Sequence, residues 1–145
     1  MLAEWLKAHD NIKTNCYKDT PFFMKIAFKR LDHIMLCIPE GTEEQARDFY
    51  TNVLGLEELT NLGYPLPNGA IWFQMGDIQL HVRAEKNHDG SSQRHPAFEV
   101  HNLEAARAVL QEHGIELKNE SKIPDRNRFS FRDPFGNRIE LIEML

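Results

Sequence analysis

Five side chains in this sequence carry groups that metal and proton chemistry use: His33, Gln79, His81, His95 and Glu140. Four of them stand in alternating stretches, each facing away from the apolar residues of its own stretch. In 31–38, Ile34, Leu36 and Ile38 share one face while His33, Met35 and Cys37 share the other. In 77–83, Ile78, Leu80 and Val82 lie opposite Gln79, His81 and Arg83. In 138–143, Ile139 and Leu141 point one way while Arg138, Glu140 and Ile142 point the other. A carboxylate in mid-strand, as Glu140 is, is either solvated or has a partner. Two imidazoles and a carboxylate that converge suit a divalent metal, with bonds of about 2.0–2.2 Å. With open positions, the same trio is the arrangement used for non-haem iron. A third imidazole favours Zn, Ni, Co or Mn as a Lewis acid for an oxygen substrate. Neutral imidazole is the binding form, so affinity should fall near and below about pH 6.

The elements that must position these groups are readable in order. Residues 1–30 form an arm, with Leu2, Trp5 and Leu6 at helical spacing and Phe22, Phe23, Ile26 and Phe28 in a sticky stretch. Met24 is a possible start of the compact part. The first strand, 31–38, ends at Pro39-Glu40-Gly41. Thr42 and Gln45 predict a capping box and a helix to about Leu54, stopped by Gly55. Strands are expected at 56–60, 70–75 and 77–83, with a Pro- and Gly-rich loop at 63–69. A polar linker, 85–94, follows. The pattern then restarts: strand 95–100, a helix from the Asn102 cap to about His113, a short strand 115–117, and a hairpin of 129–132 and 138–143 around the turn Asp133-Pro134-Phe135-Gly136-Asn137.

The chain therefore reads as two copies of β-α-β-β-β, at about 31–84 and 95–143. His33 and His95 begin the first strands of their copies, 62 positions apart, and His81 and Glu140 lie in the last strands, 59 apart. The expected fold is α+β: two modules forming an open, cup-shaped mixed sheet with helices on the outside. The cup would hold His33, Gln79, His81, His95 and Glu140.

The stretches LDHIMLCI, FYTNVLGLEEL, HPAFEV and DPFGNRIELIE resemble the vicinal oxygen chelate superfamily, which includes glyoxalase I, extradiol dioxygenases, fosfomycin-resistance proteins and bleomycin-binding proteins. The resemblance covers about 31–143. It implies metal ligands at His33, His95 and Glu140, with His81 or Gln79 in the fourth place, where glyoxalase I typically has Glu. It implies a divalent metal cofactor (Zn, Ni, Co, Mn or Fe), with Glu140 and His81 as catalytic groups. The activity would be that of a lyase, isomerase or dioxygenase on a small oxygenated substrate. A fosfomycin-modifying transferase normally has a hydroxyl residue where Met35 stands. Metal-free, bleomycin-sequestering members supply the other reading, a small-molecule binder. A homodimer is expected, with the modules pairing within one chain or swapping between two.

Composition narrows the classes further. The net charge of -5 argues against a nucleic-acid surface. No apolar run approaches the roughly 20 residues of a membrane span. The start lacks a secretory pattern. The two cysteines, Cys16 and Cys37, give no disulfide framework, so the expected compartment is the cytoplasm. His88, His101 and His113 are expected to be solvated. Arg83, Arg128 and Arg132 are expected at solvated sheet edges, or against an anionic substrate if they face the cup. Glu99 is expected to pair with an arginine or serve as a base, and Met35 and Cys37 to pack as wall.

Overall fold

Alternation of apolar and polar residues builds eight strands in two sheets. The structure, a computed structural model, describes residues 26, 28–66 and 69–145. The expected helix of the arm, Cys16, Phe22, Phe23 and Met24 lie outside them. Leu31–Leu145 form one compact unit. The first module contains β1 (His33–Pro39), α1 (Glu43–Asp48), β2 (Glu57–Glu58), β3 (Ile71–Met75) and β4 (Ile78–Glu85). The second contains β5 (Ala97–Glu99), α2 (Leu103–Glu112), β6 (Leu117–Asn119), β7 (Arg126–Arg132) and β8 (Arg138–Met144). The sheets run β1-β4-β3-β2 and β5-β8-β7-β6. In each, the first and last strands of the module pair in parallel and the other pairs are antiparallel. The fold is α+β, and the module repeat read from the sequence is present.

Several boundaries differ from expectation, each for a local reason. Thr42 does not close a capping box. Its hydroxyl donates to the Pro39 carbonyl instead, at 2.7 Å, so it tightens the turn that leaves β1. The helix is α-helical only to Asp48 and continues as a wider π-helical turn, Phe49–Val53. Phe49 and Tyr50 are both buried there, and the Leu54 N–H reaches the Phe49 carbonyl. The last short strand before the hairpin is Leu117–Asn119, not 115–117. Backbone pairing of Leu117 with Phe131 and Asn119 with Phe129 decides this. The helix of the second module starts as expected, with Asn102 Oδ1 accepting from the Ala105 N–H at 2.8 Å.

Tyr50, Phe73, Leu80, Val82, Leu103, Leu110, Phe129, Phe135 and Ile139 belong to one buried apolar cluster, so the core is continuous through both modules. The β7–β8 turn connects them. Asp133, itself buried, accepts from the backbone N–H groups of Phe135 and Asn137, from Asn137 Nδ2, and from the Tyr50 hydroxyl of the first module at 2.6 Å. Asn137 Nδ2 also donates to the Cys37 carbonyl in β1. The linker is fastened to the same turn. His88 Nε2 donates to the Phe135 carbonyl at 2.7 Å, and Arg132 donates to the carbonyls of Gly90, Ser92 and Gly136. His88 is thus a buried structural residue, its side chain 7% exposed, and not the solvated one expected from its polar surroundings. Arg132 is likewise engaged with backbone carbonyls rather than lying free at a sheet edge. Gly136 has φ +89°, and a Cβ there would stand 2.6 Å from the Gly90 carbonyl oxygen.

Burial, reinforced by the Asp133 charge, holds the Tyr50 hydroxyl well above its usual ionisation range. A group raised in the folded state stabilises fully below its ordinary pKa and loses that contribution as pH rises toward the folded value. Stability should therefore decline above about pH 10 in the wild type. Tyr50→Phe should cost about 2 kcal/mol at neutral pH and flatten that alkaline decline. Denaturant titrations from pH 7 to 11 check both, and an unchanged alkaline slope contradicts the clamp. Gly136→Ala should cost at least about 2 kcal/mol, because strain at positive φ adds to the collision with Gly90.

Candidate functional site

Strand pairing resolves which residues correspond in the two modules. In the first, Met35 of β1 pairs with His81 of β4; in the second, Ala97 of β5 pairs with Glu140 of β8. His33 and His95 each stand two residues before those partners. His81 and Glu140 are therefore the equivalent positions. Gln79, the alternative for that place, instead sets its Oε1 3.0 Å from His81 Nε2.

Each module assembles a pair. On the first sheet, the His33 and His81 rings stack with centroids 4.2 Å apart, and His33 Nδ1 lies 3.1 Å from Asp32 Oδ2. Trp72, directly across from His81 on β3, stacks on the other face of that imidazole at 4.0 Å and 5°. His81 is thus enclosed between two rings and buried. Burial, together with the neighbouring His33, lowers its pKa.

On the second sheet, His95 precedes Pro96, which confines it to extended backbone. The Pro96 carbonyl accepts from the Glu140 N–H, setting the two side chains next to each other. His95 Nε2 stands 3.0 Å from Glu140 Oε2. Its Nδ1 stands 2.9 Å from the Gln93 carbonyl. Both ring nitrogens therefore face oxygen acceptors, but a neutral imidazole has one N–H to give. Either the ring carries both protons or a cation stands between Nε2 and the carboxylate. The 3.0 Å separation equals that of two adjacent ligand atoms at right angles on an ion with bonds of about 2.1 Å. The Gln93 carbonyl is the kind of outer partner that orients a ligating histidine. This pair fits a divalent metal as it stands. The first pair fits once the His33 ring, with a side chain 44% exposed, swings off His81.

Glu140 is 4% exposed, so it is the partnered carboxylate and not the solvated one. Arg128 donates to its Oε1 at 2.8 Å and, through Nε and Nη2, to the Ser121 carbonyl. Periodicity placed Arg128 near the site but gave no sign of this partner, because pairing between β7 and β8 depends on the hairpin register. Glu120, another unforeseen member, accepts from Ser130 and Arg138 at 2.6 and 2.7 Å, and these hydrogen bonds, Ser130's first, lower its pKa. Trp72 was likewise missed. The strand alternation that places Trp72 beside Gln74, opposite Phe73, was the available signal. Arg83 and Glu99 are exposed, as are His101 and His113. An apolar cleft of about 280 Å³ lies among Leu36, Leu54, Phe98, Val109 and Leu141, and none of the four metal-ligand candidates lines it.

The two pairs occupy different sheets. Among the described residues, no group of three or more His, Cys, Asp or Glu within one chain stands close enough to hold a metal. No described helix is long and apolar enough to cross a membrane.

His81 has its neutral form favoured in the fold, so its contribution is full above about pH 6.5 and is lost as pH falls below that. A Trp5→Phe variant isolates Trp72 emission. Metal-free protein should show quenching as His81 protonates below pH 6.5, and His81→Gln should abolish that step.

The model of the Glyoxalase/Bleomycin resistance protein/Dioxygenase superfamily matches residues 30–141. A glyoxalase family protein from Bacillus anthracis is 35% identical, covering 84% of this chain and 100% of its own, with a TM-score of 0.75. The antibiotic binding protein TnmS3 from Streptomyces sp. CB03234 shares the fold at 21% identity, with coverages of 83% and 100% and a TM-score of 0.64. So does the fosfomycin resistance protein FosX from Listeria monocytogenes, solved with Mn(II) and sulfate, at 16% identity, coverages of 82% and 93% and a TM-score of 0.63. A search of curated proteins finds no match. The family model spans both modules, and the chain belongs to the Glyoxalase/Bleomycin resistance protein/Dioxygenase superfamily.

Proposed function

We propose that the protein is a metal-dependent enzyme of the glyoxalase type, a lyase or isomerase or else a dioxygenase, acting in the cytoplasm on a small oxygenated molecule. The observation that carries this reading is the His95–Glu140 pair, whose ring nitrogens both face acceptors while Nε2 and Oε2 stand at ligand–ligand spacing. His33, His81, His95 and Glu140 hold the ion. When bound, a divalent metal supplies a Lewis acid for negative charge developing on substrate oxygen. His81, kept neutral by burial, and Glu140 are the groups that accept and return a substrate proton. Trp72 and Gln79 keep the His81 ring oriented.

The complete site is proposed to form between two chains. One chain holds only pairs, and β1 and β5 end their sheets with one side unpaired. Met35, exposed on the same face of β1 as His33, extends that edge as an apolar contact. In a homodimer, the first sheet of one protomer would lie beside the second sheet of its partner, so that two half-sites make one whole. A second reading, a metal-free binder of small molecules, is favoured by the Tyr64–Trp72–His81–His33 run of rings, a flat surface for a planar ligand.

Protein purified without chelator should carry about one metal equivalent per chain, and His95→Ala should lose most of it. A heterodimer of His33→Ala with His95→Ala should keep one of its two sites, because one of its interfaces joins two intact halves. Loss of both sites contradicts assembly between chains. Equally little metal in wild type and His95→Ala leaves the binding-protein reading.

A further inference from the structure

The two oxygens of Glu140 have different partners. Oε2 faces His95 Nε2 at 3.0 Å, and Oε1 accepts from Arg128 Nη1 at 2.8 Å. A carboxylate that chelates an ion with both oxygens must present both to it at similar distance. A charge-assisted bond to a guanidinium, short and strong, opposes that rotation. Arg128 cannot follow a rotating carboxylate either, because its Nε and Nη2 are both fixed on the Ser121 carbonyl at 3.1 Å. It lies on β7 opposite Ile142, one residue pair along the ladder from Glu140 and on the same face. Side chains 6% and 20% exposed leave little water to compete for the Glu140–Arg128 pair. The first module has no such device: the position corresponding to Arg128 there is Ala70, two residues before Trp72.

We propose that Arg128 is a positioning residue for the metal site: it holds Oε1 and leaves Oε2 as the single oxygen that Glu140 offers beside His95. This rests on the metal-dependent reading above. Arg128 thereby sets the coordination number. With it, Glu140 contributes one bond, and positions remain for the two oxygens of a chelating substrate. Without it, the carboxylate closes on the ion through both oxygens and takes one of those positions. The guanidinium also offsets the charge of a buried carboxylate before any ion arrives.

Cobalt(II) reports the difference without catalysis, since its visible absorption weakens as ligands are added. Full-length protein loaded with cobalt should lose at least about twofold in visible absorptivity in Arg128→Met. Arg128→Lys, which keeps a cation on Oε1, should stay near wild type. In wild type itself, infrared carboxylate bands that vanish in Glu140→Gln should show the wide splitting of a one-oxygen ligand on cobalt loading. That measurement stands even if Arg128→Met does not fold. A folded Arg128→Met with the wild-type cobalt spectrum, or narrow splitting in wild type, overturns the role of Arg128. Cobalt uptake undiminished in His95→Ala overturns instead the metal site on which it rests.

Discussion

A single buried carboxylate fixes where the second module sits. Asp133 accepts four hydrogen bonds, two per oxygen, which fills the lone-pair sites a carboxylate has. Three come from the turn it begins and one from Tyr50 in the other module. Burying the charge without those donors would cost several kcal/mol. Asn137, inside the same turn, reaches back to the Cys37 carbonyl of β1. The turn is therefore both the bend of a hairpin and the joint between modules. Glu140 lies three residues beyond Asn137, so its place relative to β1 follows from this joint.

Much of the fold was legible because the periodicities are strong. Strict alternation in β1, β4 and β8 gave their faces, and the repeat of that alternation gave the modules. The polar face of β1 and β4 holds His33 and His81, as alternation requires. What stayed hidden depended on contacts distant in sequence. Thr42 and Gln45 have the spacing of a capping box, yet the Pro39 carbonyl is the nearer partner for the hydroxyl. His88 sits in a polar run, and only the turn of the other module explains its burial. Whether Gln79 or His81 corresponds to Glu140 needed strand register, which a one-residue count cannot give. Arg128 looked like any cation on a strand until Glu140 and Ser121 were placed around it.

The modules have diverged at corresponding places. Where the first sheet surrounds its second candidate ligand with rings, the second surrounds it with charges. His81 lies between Trp72 and His33, and burial favours its neutral state. Glu140 lies between Arg128 and His95. A soft, neutral half facing a charged, oxygen-bearing half is suited to a borderline divalent ion, which accepts both kinds of donor. The same asymmetry separates two tasks: the ring stack offers a flat wall to a substrate, and the ionic pair offers a ligand of fixed direction.

Anomalous diffraction at a metal absorption edge, from crystals of the full chain grown with a divalent ion, tests the central claim most directly. The account predicts one peak bounded by His95 Nε2 and Glu140 Oε2 of one protomer and by the His33 and His81 rings of its partner. A peak elsewhere, or His95 and Glu140 still in direct contact with no density between them and the partner's rings, would contradict it.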